Sequence, residues 1–547
     1  MEKVTVAVAV GRAMAAAGAA HAFGVVGSGN FHMTNALINA GVEFTQTRHE
    51  LGAALAADAY SRLTGRVAVV SVHQGGGYLN SLTGVLEAVK AHTGVVVVAG
   101  EVARGDLVSN FYLDQSQAAV AVGAVAIRVH VARDAIKDAA AAVHTAVARR
   151  MPVILSVPID IQEELVEWDP ALVPAAPEAA QAVPDATSIA KIVDLLVRAD
   201  RPVIVGGRGA HHAKAALREL GAAAGALLVA SGGGRGIFVG DEWALDVMGG
   251  FATDGAAALI KDADLLVVFG VALTKWTARG GELTDGQTIV QVDDRPEAFG
   301  LHRSVTLGVL GDSAPVAQMV TAAIRDRFPD GRAAYRTPEV HARVQAVRYW
   351  SDQNIEFIRT NGFIDPAELS IDLDRRLPLE RVVIPDGGNV NAYGGSFLRV
   401  PDENGYVLSI ASQSIGSGLA EGIGAAMARP DRLTVVATGD GSLLMNAVEL
   451  DTAVRTHLGM LIVVFNDSAY GAEAHIFDSD PQKDAVRFPE TDIAAIARGY
   501  GCEATTVRSL DDLAPLDAWL AGPRDHPFLI DAKIEGFASP LMAQKLH

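Results

Sequence analysis

The chain of 547 residues contains a single cysteine, Cys502. An internal disulfide and a thiolate metal cluster are both excluded, and a reducing, cytoplasmic setting is expected. Long apolar runs are missing as well. The longest in a strand-like segment covers residues 265–273, far short of the ~20 residues that cross a bilayer. Basic charge is in deficit, with 45 Lys+Arg against 64 Asp+Glu and a net charge of -19. That balance repels phosphate backbones and anionic lipid surfaces, so neither nucleic acid nor a membrane is expected as a partner. No His-Glu-x-x-His marks a zinc site, and Gly206-Gly207-Arg208-Gly209 lacks the full spacing of a dinucleotide-binding turn. The weak hydrophobicity of a disordered chain is also absent, because hydrophobic residues make up 50% and charged residues 20%.

What is present is enough apolar material for several cores. At ~150 residues per domain the length implies three or four domains. Ala13 to Ala22, with A-x-A spacing, imitates a secretion signal, but Arg12 interrupts the apolar run. The stretch is read instead as a first helix feeding the turn Gly24-Val25-Val26-Gly27-Ser28-Gly29.

Short β-branched runs alternate with alanine-rich helical stretches, the pattern of parallel sheets covered by helices on both faces. Strands are expected at 67–72, 95–99 and 153–157, then at 203–205, 227–230, 265–269 and 289–292, then at 382–384, 407–409, 434–438, 461–465 and 528–530. Pro170, Pro174, Pro177 and Pro184 make 169–187 a linker, and a second connection falls at 328–337. The expected architecture is α/β, with three doubly wound parallel-sheet domains at 1–168, 187–330 and 360–547.

The sharpest chemical signal lies in the third block. Gly439-Asp440-Gly441-Ser442 follows one strand, and Asn466-Asp467 follows the next, with the 24 residues 442–465 between Gly441 and Asn466. A Gly-Asp-Gly turn by itself is commonplace. Two such segments leaving adjacent parallel strands bring Asp440 and Asp467 to one hard cation, while backbone N–H groups and Ser442 meet diphosphate oxygens.

Here the sequence resembles the thiamine diphosphate-dependent enzymes of the acetolactate synthase, pyruvate decarboxylase, benzoylformate decarboxylase and benzaldehyde lyase group, over essentially the whole chain. The resemblance implies Mg²⁺ held by Asp440, Asp467 and the Ala469 carbonyl, with Asp467 standing where Asn is usual. Gly439, Gly441, Ser442, Asn466 and Tyr470 then belong to the cofactor site. Asp386-Gly387-Gly388-Asn389-Val390-Asn391 looks like the turn that reaches the diphosphate from the other side, through Gly388, Asn389 and Asn391. Gln413 and Ile415, in Gln413-Ser414-Ile415-Gly416, look like the pyrimidine contact and the apolar wedge that bends the cofactor.

Glu50, in Thr47-Arg48-His49-Glu50, matches the family glutamate that protonates the aminopyrimidine ring and so activates the thiazolium carbon. Taken alone, it reads equally as a first-turn acid favoured by the helix dipole. His73, at the start of His73-Gln74-Gly75-Gly76-Gly77-Tyr78-Leu79-Asn80, looks like the active-site histidine of benzoylformate decarboxylase, whereas the triple glycine looks like benzaldehyde lyase. A histidine there shuttles protons, or is a satisfied strand-end residue. Ser28 and Gln115 are the further catalytic candidates, and His32 and Asn110 are unsupported pocket residues. The family places the cofactor between the first domain of one subunit and the third of another, which implies a homodimer or homotetramer. The expected reaction is carboligation or cleavage of 2-oxo acids or aldehydes. The alternatives are simple 2-oxo acid decarboxylation, an FAD-dependent oxidase of the pyruvate oxidase type, and a non-catalytic cofactor-binding paralogue.

Overall fold

The computed structural model describes residues 2–178, 182–358, 360 and 362–544. Residues 179–181 of the expected linker lie outside the described residues. Three parallel sheets organise the chain. The first has strands in the order Glu43–Gln46, His21–Gly24, Ala68–Val72, Val95–Glu101, Val153–Pro158 and Val125–Arg128. The second runs Ala244–Val247, Leu227–Ala230, Pro202–Gly206, Leu265–Phe269, Thr288–Asp293 and Leu307–Leu310. The third runs Arg381–Pro385, Leu433–Gly439, Leu461–Asn466, Phe528–Lys533 and Glu503–Val507. Central strands such as Val95–Glu101 are buried at every position, because helices cover both faces and apolar runs need no polar alternation. No helix among the described residues is long and apolar enough to cross a membrane.

Two expectations are corrected. The N-terminal alanines do not form one helix: the helix Val6–Ala16 stops, and Ala22 lies in the strand His21–Gly24. Alanine favours helix, so the strand at Ala22 is a tertiary override, set by the fully buried position of Phe23 in the sheet. Residues 407–409 are not a strand; Tyr406 forms an isolated bridge with Val383, and Val407 N–H donates to the Val383 carbonyl at 3.1 Å. Packing of the central unit also runs past 330, since Tyr335 and Val344 are buried in its core and the Tyr335 hydroxyl donates to the Leu259 carbonyl at 2.9 Å. A further, antiparallel pair, Glu2–Thr5 with Leu165–Trp168, ties the chain start to the end of the first unit.

The helix Glu50–Thr64 joins the first and third units. His49 caps its start, accepting from Leu51 N–H at 3.1 Å, and Gly65 ends it in the left-handed region with φ 68°. It packs on the helix Gly418–Ala428, where a Cβ on Gly424 would lie 2.0 Å from the Ala56 carbonyl oxygen. No side chain fits at that crossing. At the same seam Arg62 pairs with Asp58 and with Glu87 at 3.2 Å, and donates to the Leu408 carbonyl at 2.8 Å. Glu87 also accepts from Ala411 N–H at 2.8 Å and Ser412 N–H at 2.7 Å. Glu421 completes the group, fully buried with no hydrogen bond to either carboxylate oxygen. Burial holds its carboxyl well above the usual range; Arg62 partly offsets this, and the Glu87 and Asp58 charges reinforce it.

Candidate functional site

In the first sheet the chain passes from His21–Gly24 to one neighbour, Glu43–Gln46, and then to the other, Ala68–Val72. Ligands of doubly wound sheets sit in the crevice opened by such a reversal, at the carboxyl ends of the strands. Ser28, His73 and Glu50 all follow those strand ends. His73 Nδ1 lies 3.0 Å from the Gln74 carbonyl, which only accepts, so Nδ1 donates to it and Nε2 is the ring nitrogen left to face Ser28. Ser28 Oγ is 3.3 Å from that Nε2.

The turn bearing Ser28 is shaped by Asn30, which sequence reasoning overlooked. Its side chain accepts from Gly27 N–H at 2.8 Å and donates to the Val25 carbonyl at 3.1 Å and to Ser71 Oγ at 3.0 Å. Asn is a common residue of such turns, but only the fold brings Ser71 to it.

Glu50 opens its helix and is buried. Asn80 Nδ2 donates to Glu50 Oε2 at 3.0 Å. The Gly75-Gly76-Gly77 segment closes over the other oxygen: a Cβ on Gly77 would stand 2.9 Å from Glu50 Oε1. Gln115 is placed beneath the loop rather than facing open space. Its amide accepts from Gly75 N–H at 3.4 Å and donates to Ser156 Oγ at 3.1 Å, and it is 1% exposed. His32 and Asn110 are exposed, and neither joins the His73 cluster.

The third unit builds the second half. Gly439 is in register with Phe465 on adjacent parallel strands, which puts Asp440 and Asp467 side by side at their carboxyl ends. Asp440 begins the helix Asp440–Met445, and its Oδ1 is buried without a hydrogen-bond partner. Burial, with a contribution from the Asp531 charge, pushes the Asp440 carboxyl up to about 6. Burial and then the Asp440 charge push Asp467 up to about 7. Two desolvated acids facing each other, one with an orphaned oxygen, are short of positive charge, and hard oxygen donors of this kind suit Mg²⁺. The residues therefore fit the cation that the resemblance implies. Asp467 Oδ1 accepts from Ala469 N–H at 3.2 Å across Ser468, which is left-handed at φ 55°.

Asn466 is engaged internally, donating to Asp531 Oδ1 at 2.9 Å and accepting from Ser468 N–H at 3.3 Å, so it shapes the Asp467 turn. On the neighbouring strand end, Asp386 accepts from Gly387, Gly416 and Ser417 N–H at 2.7, 3.2 and 3.3 Å, and from Thr438 Oγ1 at 2.9 Å. One carboxylate thus joins three segments of the site. Asn391 donates to the Asp386 carbonyl at 2.8 Å and keeps a buried oxygen without a partner. Asn389 donates to the Phe537 carbonyl and accepts from Ser539 N–H, both at 2.8 Å. Gly388 has φ 92° with open space around it, and Ile415 is half-buried against Gly387. Gln413 is exposed and left-handed at φ 62°, its Nε2 donating to the Ile410 carbonyl at 2.9 Å. Ser442 is buried in its short helix, and Gly441 lies beneath the Tyr470 ring, which meets Phe488 edge-on at 4.8 Å.

Each half is bordered by exposed apolar side chains: Leu79, Leu107 and Phe111 beside the first, Leu444, Met445 and Phe477 beside the second.

Comparison with known proteins matches this division of labour. Residues 4–121 match the thiamine pyrophosphate enzyme N-terminal TPP binding domain, 189–320 its central domain, and 386–532 its C-terminal TPP binding domain. The chain is 26% identical over 509 residues to chloroplastic acetolactate synthase 2 of Nicotiana tabacum, covering 88% of this chain and 75% of that protein. It is 28% identical over 515 residues to 2-hydroxyacyl-CoA lyase of Oryza sativa subsp. japonica, covering 88% and 86%. Its fold is that of the thiamine diphosphate-dependent 4-hydroxybenzoylformate decarboxylase of Rhodococcus jostii RHA1, with TM-score 0.83 at 21% identity over 98% of this chain and 100% of that one. With all three domains matched in order, and an acid pair and a buried glutamate standing at the strand ends of the outer two, the chain belongs to the thiamine pyrophosphate enzyme family.

Proposed function

We propose that this protein binds thiamine diphosphate through Mg²⁺ and forms or cleaves carbon–carbon bonds in 2-oxo acids or aldehydes, with carboligation the leading reaction. The Asp440–Asp467 pair, with its buried unpartnered oxygen, is the observation that carries the reading. Asp440, Asp467 and the Ala469 carbonyl would hold the cation. Gly388, Asn389, Asn391, Gly439, Gly441, Ser442, Asn466 and Tyr470 would border the diphosphate, and Gln413 and Ile415 the rings. When bound, the thiazolium supplies an electron sink for the charge released as a bond beside a carbonyl breaks.

The chain's own groups handle protons and exclude water. Glu50 is fixed through Oε2 by Asn80, which leaves Oε1 to hold or release a proton. His73 Nε2, backed by Ser28, takes a proton from or delivers one to a substrate oxygen or carbon. Asp386 and Asn466 hold the strand-end turns in place. The two halves lie on different units, each edged by exposed apolar residues, which supports a site completed by a second copy of the chain, in a dimer or tetramer.

Simple decarboxylation is the second reading, favoured by the Ser28–His73 pair, because that reaction must end in proton delivery to carbon. Relatives named as a synthase and a lyase support the first. The test incubates holoprotein with a panel of 2-oxo acids and aldehydes and identifies products by NMR. A coupled hydroxyketone supports carboligation and an aldehyde with CO₂ supports decarboxylation. Flavin absorbance in the purified protein points to the oxidase alternative, and turnover of nothing in the panel to a non-catalytic paralogue.

A further inference from the structure

The peptide leading into Glu50 is gripped by the third unit of the same chain. Glu449, at the head of the helix Glu449–Arg455, is fully buried, and its Oε1 accepts from Arg48 N–H at 3.1 Å and His49 N–H at 2.9 Å. Oε2 accepts from Thr452 Oγ1 at 2.5 Å. The helix adds two contacts on the same segment: Asp451 pairs with Arg48 at 2.5 Å, and Arg455 donates to the Gln46 carbonyl at 2.8 Å. Gly52 makes room for the grip, since a Cβ there would lie 2.3 Å from Glu449 Oε1. A carboxylate receiving two consecutive backbone N–H groups fixes the peptide plane between them, and His49 in turn caps the helix that Glu50 opens.

We propose that Glu449 is a positioning residue for Glu50, setting from the diphosphate-side unit the direction in which the Glu50 carboxyl projects; this rests on the functional reading above. Asp440 starts the short helix just upstream of Glu449, so the segment that begins with a cation ligand ends by holding the helix start that carries the proton switch.

The test is a double-mutant cycle on the full-length protein: Glu449→Gln, Glu50→Gln and both together, with thiamine diphosphate and Mg²⁺ binding followed by calorimetry. If Glu449 acts through Glu50, Glu449→Gln weakens cofactor binding about tenfold with Glu50 present and less than about twofold in the Glu50→Gln background. Gly52→Ala, which pushes on the same carboxylate from the other side, shows the same dependence on Glu50. Hydrogen exchange in cofactor-free protein reports the clamp directly, with the Arg48 and His49 amides exchanging faster in Glu449→Gln. Equal losses in both Glu50 backgrounds overturn the inference alone. Wild-type protein that takes up no thiamine diphosphate overturns the functional reading and this inference with it.

Discussion

Asn80 donates its side-chain amide to Oε2 of Glu50 at 3.0 Å, so the carboxyl is oriented through one oxygen while the other lies under the glycine segment. Replacing Glu50 by Gln keeps the shape and one acceptor but removes the exchangeable proton. Turnover is expected to fall about 10²–10⁴-fold, the range for loss of a general acid–base group, with the melting temperature nearly unchanged. Steady-state rates together with thermal unfolding check this; near-normal turnover in cofactor-loaded Glu50→Gln removes Glu50 from its role.

The proposed cation site predicts graded effects of two conservative changes. Asp467→Asn relieves the like-charge pressure from Asp440 and is expected to raise the melting temperature of cofactor-free protein at pH 8 while weakening its response to Mg²⁺. Asp440→Asn removes the acid whose oxygen is orphaned and abolishes the Mg²⁺-dependent stabilisation. Saturating ligand at ~100 times Kd stabilises by about 2.7 kcal/mol, a shift easily seen by calorimetric melting in chelator and in Mg²⁺ with thiamine diphosphate.

For the Ser28–His73 pair, His73→Ala should slow the protonation-dependent product about 10²-fold and leave cofactor affinity unchanged, since His73 contacts the Ser28 turn rather than the diphosphate side. Ser28→Ala should give a smaller loss in the same direction. Product ratios by NMR are the readout, and unchanged ratios in His73→Ala exclude the histidine from proton delivery.

Glu421 allows a prediction about pH. Its folded-state pKa is raised, so the folded protein holds that proton more tightly than the unfolded chain does. The group therefore destabilises increasingly as pH climbs above its ordinary value of 4.5. Melting temperature should fall between pH 5 and 8 in wild type, and the slope should flatten in Glu421→Gln. Parallel curves for the two proteins rule this out. Arg62→Ala, by contrast, strands Asp58 and Glu87 and should cost about 3–5 kcal/mol at neutral pH.

Features set by local chain chemistry were readable from residues alone. The runs at 434–438 and 461–465 are apolar enough to be buried strands in any α/β arrangement, and Gly439-Asp440 and Asn466-Asp467 at their ends mark a site. Asp440 and Asp467 needed only the inference that their strands are neighbours. Glu449 escaped because its partners Arg48 and His49 lie 401 and 400 residues away, and a buried acid at a helix start looks like any first-turn glutamate. Composition does not show that Asp531 and Ser156 engage the amides of Asn466 and Gln115, because those partners come from strands distant in the sequence. The alanines at 13–22 favour helix throughout, so their own preference hides the point at which packing turns the chain into a strand.

The contact between Gly424 and the Ala56 backbone bears on any attempt to recombine this protein with its relatives. A graft that swaps the last third of the chain but supplies alanine or larger at position 424 would wedge the two crossing helices apart and tilt Glu50 away from its seat. Chimeras should therefore keep both helices from one parent, exchanging only a stretch between two break points in the central unit.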